Sequence, residues 1–176
     1  MKKILVISDT HRNKIILKEV LEKNIKNVDI IIHLGDYYED IEKFELLLEG
    51  KELYRVPGIY HPKYKNGDYP ATKNIKIEGW NIVLVHDFKD LINQKLFKDI
   101  NLHGHTHRAE IFLKDGKTFL NPGHLKDHFD RGLFASYAIM ELIPKSVDIK
   151  IINLSDKIIK EKIIEKMEDI NANWRN

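Results

Sequence analysis

The run Ile4 to Ser8, Ile-Leu-Val-Ile-Ser, offers water no polar face. A short, continuously apolar segment of this kind fits a strand covered on both sides, and such strands sit in parallel sheets flanked by helices. The residues that follow keep to that architecture. Over about 14–24, Ile16, Leu17, Val20 and Leu21 fall on one helical stripe, and 29–34 is a second buried strand. Residues 40–48 read as a helix with Ile41, Phe44, Leu47 and Leu48 facing inward, and 52–56 is a third strand. This β-α-β-α-β opening predicts an α/β fold with parallel strands and external helices.

Residues 57–72 break the alternation, because Pro57, Gly58, Pro62, Gly67 and Pro70 favour a loop. The second half is richer in strand signals. Strands are expected at 75–77 and 81–86 around Gly79, a helix around 89–97, and a strand at 101–103. Residues 110–113 and 118–120 flank Asp115-Gly116, a strong hairpin turn. A further strand pair is expected at 136–142 and 147–153. Ile159, Ile163, Met167, Ile170 and Trp174 then predict a C-terminal helix over about 156–174. No repeat or linker divides the 176 residues, so one domain, 1–176, is the expectation.

Composition narrows the chemistry. The chain has no cysteine, which removes disulfides, thiolate nucleophiles and thiolate ligands together. A metal would have to be held by His, Asp, Glu, Asn or water. The 29 basic and 27 acidic side chains nearly cancel, to a net charge of +2, so no global field marks the chain for nucleic acid. The N-terminal apolar run stops at Asp9, too soon for a signal peptide or membrane span. A cytoplasmic protein without a membrane partner is expected.

The segment His103-Gly104-His105-Thr106-His107 packs three of the chain's 9 histidines into five positions. Imidazole is the commonest nitrogen ligand for metals, but a polar turn would look the same. The other strand ends carry the argument. In extended chain, residues i and i+2 share a face, so Asp9 and His11 point the same way at the carboxyl end of the first strand. The second strand ends at Gly35-Asp36, the strand 81–86 on His86, and the strand 101–103 at His105 and His107, again i and i+2. Open α/β sheets place ligands at this edge.

In this order, Ser8-Asp9-Thr10-His11, His33-Leu34-Gly35-Asp36, the lone His86, Gly104-His105-Thr106-His107 and Asn121-Pro122-Gly123 resemble the calcineurin-like metallophosphoesterases. The likeness is to the small YfcE-type phosphodiesterases of bacteria and archaea, and it extends to about Leu142. It implies two mixed β-sheets sandwiched between helices. It also implies that Asp9, His11 and His107 hold one metal, His86 and His105 another, and that Asp36 bridges them. Carboxylates and imidazoles without sulfur suit Mn2+, the first expectation, and also Ni2+, Fe or Zn2+. Two such cations, roughly 3.5–4 Å apart, can share a water and lower its pKa until hydroxide exists near neutrality. That hydroxide would attack phosphorus in line while the cations neutralise the non-bridging oxygens. The implied substrate is a small phosphoester, a diester first of all, or a nucleotide-like molecule.

One ligand slot departs from the family. After its third strand the family carries Gly-Asn, with the asparagine oxygen on the second metal. Here Gly58 matches, but Ile59 cannot coordinate. The second site is lost, or kept more weakly with water in the vacant position, or served by His61. The expectation is a retained, weaker site with His61 near it as ligand or proton donor. Arg131 lies in a stretch resembling the family's arginine-containing segment, and is either a phosphate clamp or a solvated surface residue. Asn121-Pro122-Gly123 reads locally as a plain turn. His33 and His103 are expected to be structural and His128 superficial. His124 stands where the family has a small hydroxyl residue, and its role is open. The C-terminal stripe is read as core packing, with a homodimer surface as second choice. Two rivals share the fold: a catalytically weak or inactive scaffold like the retromer subunit, which Ile59 favours, and a nuclease, which small size and near-neutral charge oppose.

Overall fold

The computed structural model describes residues 1–67 and 70–166. Its elements in chain order are β1 (Lys2–Ile7), α1 (Lys14–Asn24), β2 (Ile30–His33), β3 (Glu52–Arg55), α2 (Pro62–Lys65), β4 (Thr72–Ile77), β5 (Trp80–Val85), α3 (Phe88–Gln94), β6 (Ile100–Leu102), β7 (Glu110–Lys114), β8 (Lys117–Asn121), β9 (Phe129–Asp130), β10 (Leu133–Phe134), β11 (Ser136–Leu142), β12 (Ser146–Asn153) and β13 (Ile158–Glu165). One sheet has the order β13-β12-β11-β1-β2-β3, the other β4-β5-β6-β8-β7, and β9 and β10 pair alone. The first three strands run parallel, as do β5, β6 and β8, while the remaining pairs are antiparallel.

β1 explains why its run had to be apolar throughout. Ile4 and Val6 enter the core between the sheets, against Ile30, Ile32, Ile82, Leu84 and Leu102. Leu5 and Ile7 face the other way, onto Ile16, Leu17, Val20 and Leu21 of α1. β5 repeats the device: Ile82 and Leu84 point inward, and Val83 and Val85 meet Leu91 and Phe88 of α3. The result is two mixed sheets face to face, with helices on their outer sides. Truncating one of these fully buried chains to alanine would cost about 2–5 kcal/mol. α1 begins where Asn13 Oδ1 accepts from the Ile16 amide at 3.2 Å, a side-chain N-cap.

Two elements differ from expectation. In place of an α-helix over 40–48, Tyr38–Phe44 forms a 3-10 helix followed by turns. Asp40 is the local competitor, because its Oδ2 accepts from the Thr10 hydroxyl at 3.0 Å and the Arg12 amide at 2.8 Å, tying the segment to the loop after β1. The helix expected over 156–174 is replaced, where described, by β13, antiparallel to β12. Ile158, Ile159, Ile163 and Ile164 are β-branched, which favours a pleated strand over a helix, and β12 supplies the edge to pair with. Residues 167–176, with Met167, Ile170 and Trp174, lie outside the described residues. Among the described residues no helix is long and apolar enough to cross a membrane.

Candidate metal centre

The carboxyl ends of β1, β2, β5 and β6 meet at one place, bringing Asp9 and His11, Asp36, His86, and His105 and His107 together. Backbone bonds lock the strand ends to each other: Asp9 N–H donates to Gly35 O and Gly104 N–H to His86 O, each at 3.0 Å. Two glycines make the approach feasible. A Cβ on Gly104 would collide with Ser8 Oγ, and one on Gly58 with Asp36 Oδ1.

Two groups of potential ligands result. The ligand atoms of Asp9, His11 and His107 lie within 4.8 Å of one another, and so do those of Asp36, His86 and His105. Asp36 faces both groups, with Oδ1 3.4 Å from His86 Nε2 and Oδ2 3.6 Å from His11 Nε2. His11 Nε2 and His107 Nε2 approach to 3.2 Å, and His107 Nε2 lies 3.4 Å from Asp9 Oδ1.

The residues fit a cation. Asp9 Oδ1 and His86 Nε2 are buried without a hydrogen-bond partner, as are His33 Nε2, His103 Nε2 and His124 Nδ1 around the two groups, although buried polar atoms are as a rule satisfied. The opposite end of each group is fixed. Asp9 Oδ2 accepts from Ser8 Oγ at 2.6 Å and from the His105 amide at 3.0 Å. His86 Nδ1 bonds to Leu34 O at 2.8 Å, which leaves Nε2 as the free lone pair. Burial pushes the Asp9 carboxyl up, but His107, His86 and the Ser8 hydroxyl outweigh it and hold the group down at about 2. Burial lowers the His11 pKa, only partly opposed by Asp9 and Asp36. Burial also opposes charge on His86 and His107, but Asp36 and Asp9 outweigh it and raise both pKa values. These two imidazoles would therefore release a proton on binding a cation, since neutral imidazole and ionised carboxylate are the ligating forms. Asp9, His11, Asp36, His105 and His107 all take positive φ, from 44° to 68°. Each such residue costs on the order of 1 kcal/mol or more, and strain of this kind gathers at functional sites.

The other candidates fall into place around this centre. His33 is fully buried, its Nδ1 accepting from the Gly35 amide at 3.3 Å. His103 is buried beside Phe88 and Asn121. Asn121 is no plain turn residue: its Nδ2 donates to Gly104 O at 2.9 Å and Thr106 Oγ1 at 3.0 Å, bracing the turn that carries His105 and His107. His124, of open role in the sequence, is buried with its ring 5.0 Å from that of His107. His128 is exposed. Arg131 is 67% exposed, with Nε 3.7 Å from Asp130 Oδ2. Sequence reasoning missed Asp130, whose Oδ2 lies 2.7 Å from His107 Nδ1 and whose Oδ1 accepts from Lys126 at 2.8 Å. Lys126 first, and then His107, hold its carboxyl down at about 2.

A pocket of about 420 Å³ opens beside Asp36, lined by Arg12, Tyr37, Glu39, Asp40, Tyr60, His61 and Pro62. His61 Nε2 lies 3.2 Å from Glu39 Oε1, and the His61 ring 5.2 Å from that of Tyr38. Ile59 is partly buried in the same loop.

The fold is shared with solved structures. A conserved Streptococcus pneumoniae protein described as a predicted phosphoesterase superposes with a TM-score of 0.70 at 22% identity, covering 94% of this chain and 98% of that one. Chaetomium thermophilum Vps29 gives 0.73 at 18% identity, covering 98% and 100%. Yfce, a phosphoesterase from E. coli, gives 0.69 at 18% identity, covering 91% and 98%. At such identities these likenesses speak for the fold alone. The sequence itself matches the calcineurin-like phosphoesterase superfamily domain over residues 1–144, and the chain belongs to that superfamily.

Proposed function

We propose that this chain is a metal-dependent phosphoesterase acting on a small phosphate ester, a diester first of all. Asp9, His11 and His107 would hold one divalent cation, His86 and His105 a second, and Asp36 would serve both. Mn2+ is the first choice for this mixed set of carboxylates and imidazoles, with Ni2+, Fe and Zn2+ as competitors. The observation that carries the reading is Asp36 itself, which turns one carboxylate oxygen toward each group. Bound there, the cations supply Lewis-acid charge to phosphoryl oxygens and acidify water near neutral pH.

The rest is the work of the chain. The Leu34 carbonyl and the Asp130 carboxylate orient His86 and His107, with Nε2 of each toward the centre. Ser8 and the His105 amide hold Asp9 still. The organic part of the ester would lie in the pocket beside Asp36, where His61, paired with Glu39, stands as proton donor to the departing alkoxide. Arg131 would close on the phosphate from the rim, beside Asp130.

Metal analysis of the purified protein and a panel of chromogenic phosphoesters test this. Hydrolysis should stop on chelation and return with Mn2+, and undiminished turnover by metal-free protein would refute the reading. A second reading, a phosphoesterase-fold scaffold, is favoured by one observation, Ile59 in the asparagine slot. Metal binding without turnover of any ester in the panel would favour it.

A further inference from the structure

We infer that Arg12 is a phosphoryl-binding residue, its guanidinium presented to phosphate oxygens in the pocket beside Asp36. The inference rests on reading that centre as a phosphoester site. Arg12 directly follows His11 and shares the pocket wall with Asp36 and Tyr37. Its backbone is held at φ 68°, after His11 at φ 44°. Glycine would make this turn without the Cβ penalty, so an arginine here is kept against a conformational cost. The clamp that holds it is Asp40, which accepts the Arg12 amide at 2.8 Å and the Thr10 hydroxyl at 3.0 Å.

The side chain is exposed and uncommitted. Its Cζ lies 4.6 Å from the centroid of the Tyr37 ring. Stacking occupies one face of the guanidinium and leaves the in-plane N–H donors free. Among the described residues, those donors have no hydrogen bond or ion pair. Arg55 shows the alternative: it stacks over Tyr38 at 4.9 Å but also bonds Glu42 at 2.7 Å. The acids near Arg12 are engaged elsewhere, Glu39 with His61, Asp40 with Thr10 and the Arg12 amide, and Asp36 with His86 and His11. An unpaired guanidinium, stacked and pinned beside a candidate metal centre, matches the bidentate geometry of phosphate. The phosphoryl group is either the one that reacts or a neighbouring phosphate on the same molecule.

The test is calorimetric titration of inorganic phosphate into Mn2+-loaded wild type, Arg12→Gly and Arg12→Lys, with melting curves for each. Removing charge-assisted hydrogen bonds should weaken phosphate binding about 10–100-fold in Arg12→Gly, with a smaller loss in Arg12→Lys. Relief of the left-handed backbone should leave the melting temperature of Arg12→Gly unchanged or higher, whereas a purely structural arginine would lower it. Thymidine 5′-(p-nitrophenyl phosphate), with and without a 3′-phosphate, separates the two sources. An equal fall in kcat/KM for both places Arg12 on the reacting phosphate, and a fall only with the 3′-phosphate places it on the neighbour. Phosphate binding that depends on Arg12 in a protein that hydrolyses neither ester would sink the esterase reading and leave this one standing. Wild type that binds no phosphate, or Arg12→Gly that binds it as wild type does, overturns the inference.

Discussion

Asp130 Oδ2 lies 2.7 Å from His107 Nδ1, at the end of the ring opposite the nitrogen that faces Asp9. The carboxylate accepts the Nδ1 proton and so leaves Nε2 available to a metal, while Lys126 fixes the other carboxylate oxygen. His124 packs beside the same ring. Partners of this kind set the tautomer and orientation of a ligating imidazole, and losing one costs about 10–100-fold in metal affinity. Asp130→Ala should weaken metal binding by that order in a calorimetric titration. Asp130→Asn, which keeps an acceptor, should lose less. Burial lowers the His107 pKa, but Asp9 and Asp130 outweigh it and raise it. Nitrogen NMR of the metal-free protein at alkaline pH should therefore show the neutral His107 ring protonated at Nδ1. Finding the proton on Nε2 would remove the role assigned to Asp130.

Asp36→Asn should harm turnover more than Arg131→Ala. The first change takes a shared anionic charge from both ligand groups, whereas Arg131 is two-thirds exposed and reaches the centre only past Asp130. Steady-state kinetics with a chromogenic diester, alongside metal counts, compare the two. An Asp36→Asn protein that holds two metals and turns over normally would show that this aspartate is not shared.

Much of this architecture was legible because its signals are local. The runs in β1, β2 and β5 show their double burial residue by residue, and the strand ends mark Asp9, His11, His105 and His107. These four nevertheless take left-handed and not extended backbone, and His105 and His107 join different ligand groups, so i, i+2 spacing did not set their directions. What stayed hidden depends on distant partners. Asp130 reaches His107 across 23 positions, from a strand of two residues with no apolar alternation to mark it. Asp40 is caught by Thr10 and Arg12, and the expected α-helix became a 3-10 turn. In β13 the four-residue spacing of Ile159 and Ile163 mimics a helix, and only pairing with β12 decides the matter.

His33 should make stability depend on pH. Burial pushes its imidazole down from 6.5 to about 3. Below about pH 6.5 the unfolded chain therefore takes a proton that the folded chain refuses. The contribution is fully present above that pH and is lost as pH falls toward 3, at up to about 1.4 kcal/mol per pH unit. His33→Asn should be less stable than wild type at neutral pH and show a flatter decline on acidification. Urea unfolding of metal-free protein at about pH 7 and about pH 5 reads the difference. Equal slopes would mean that His33 does not carry this dependence. Loss of a metal without loss of stability would make it a ligand.

The second ligand group is where this chain is most its own. Asp36, His86 and His105 converge without a fourth side chain from the slot occupied by Ile59, while the backbone at Gly58 still presses against Asp36. The loop thus packs against Asp36 one residue before position 59, where isoleucine offers no ligand atom. His61 lies outside the converging atoms, in the pocket, with Nε2 on Glu39. That placement suits a proton donor better than a ligand. Metal titration of wild type, Ile59→Asn and His61→Ala should resolve two binding events of unequal strength in wild type. Ile59→Asn should tighten the weaker one by roughly 10-fold. His61→Ala should leave both events in place and lower kcat about 100-fold toward a poor leaving group, with a smaller loss toward p-nitrophenolate, which needs little protonation. One metal at saturation in wild type, together with unchanged turnover in His61→Ala, would end the two-metal account and leave the scaffold reading in its place.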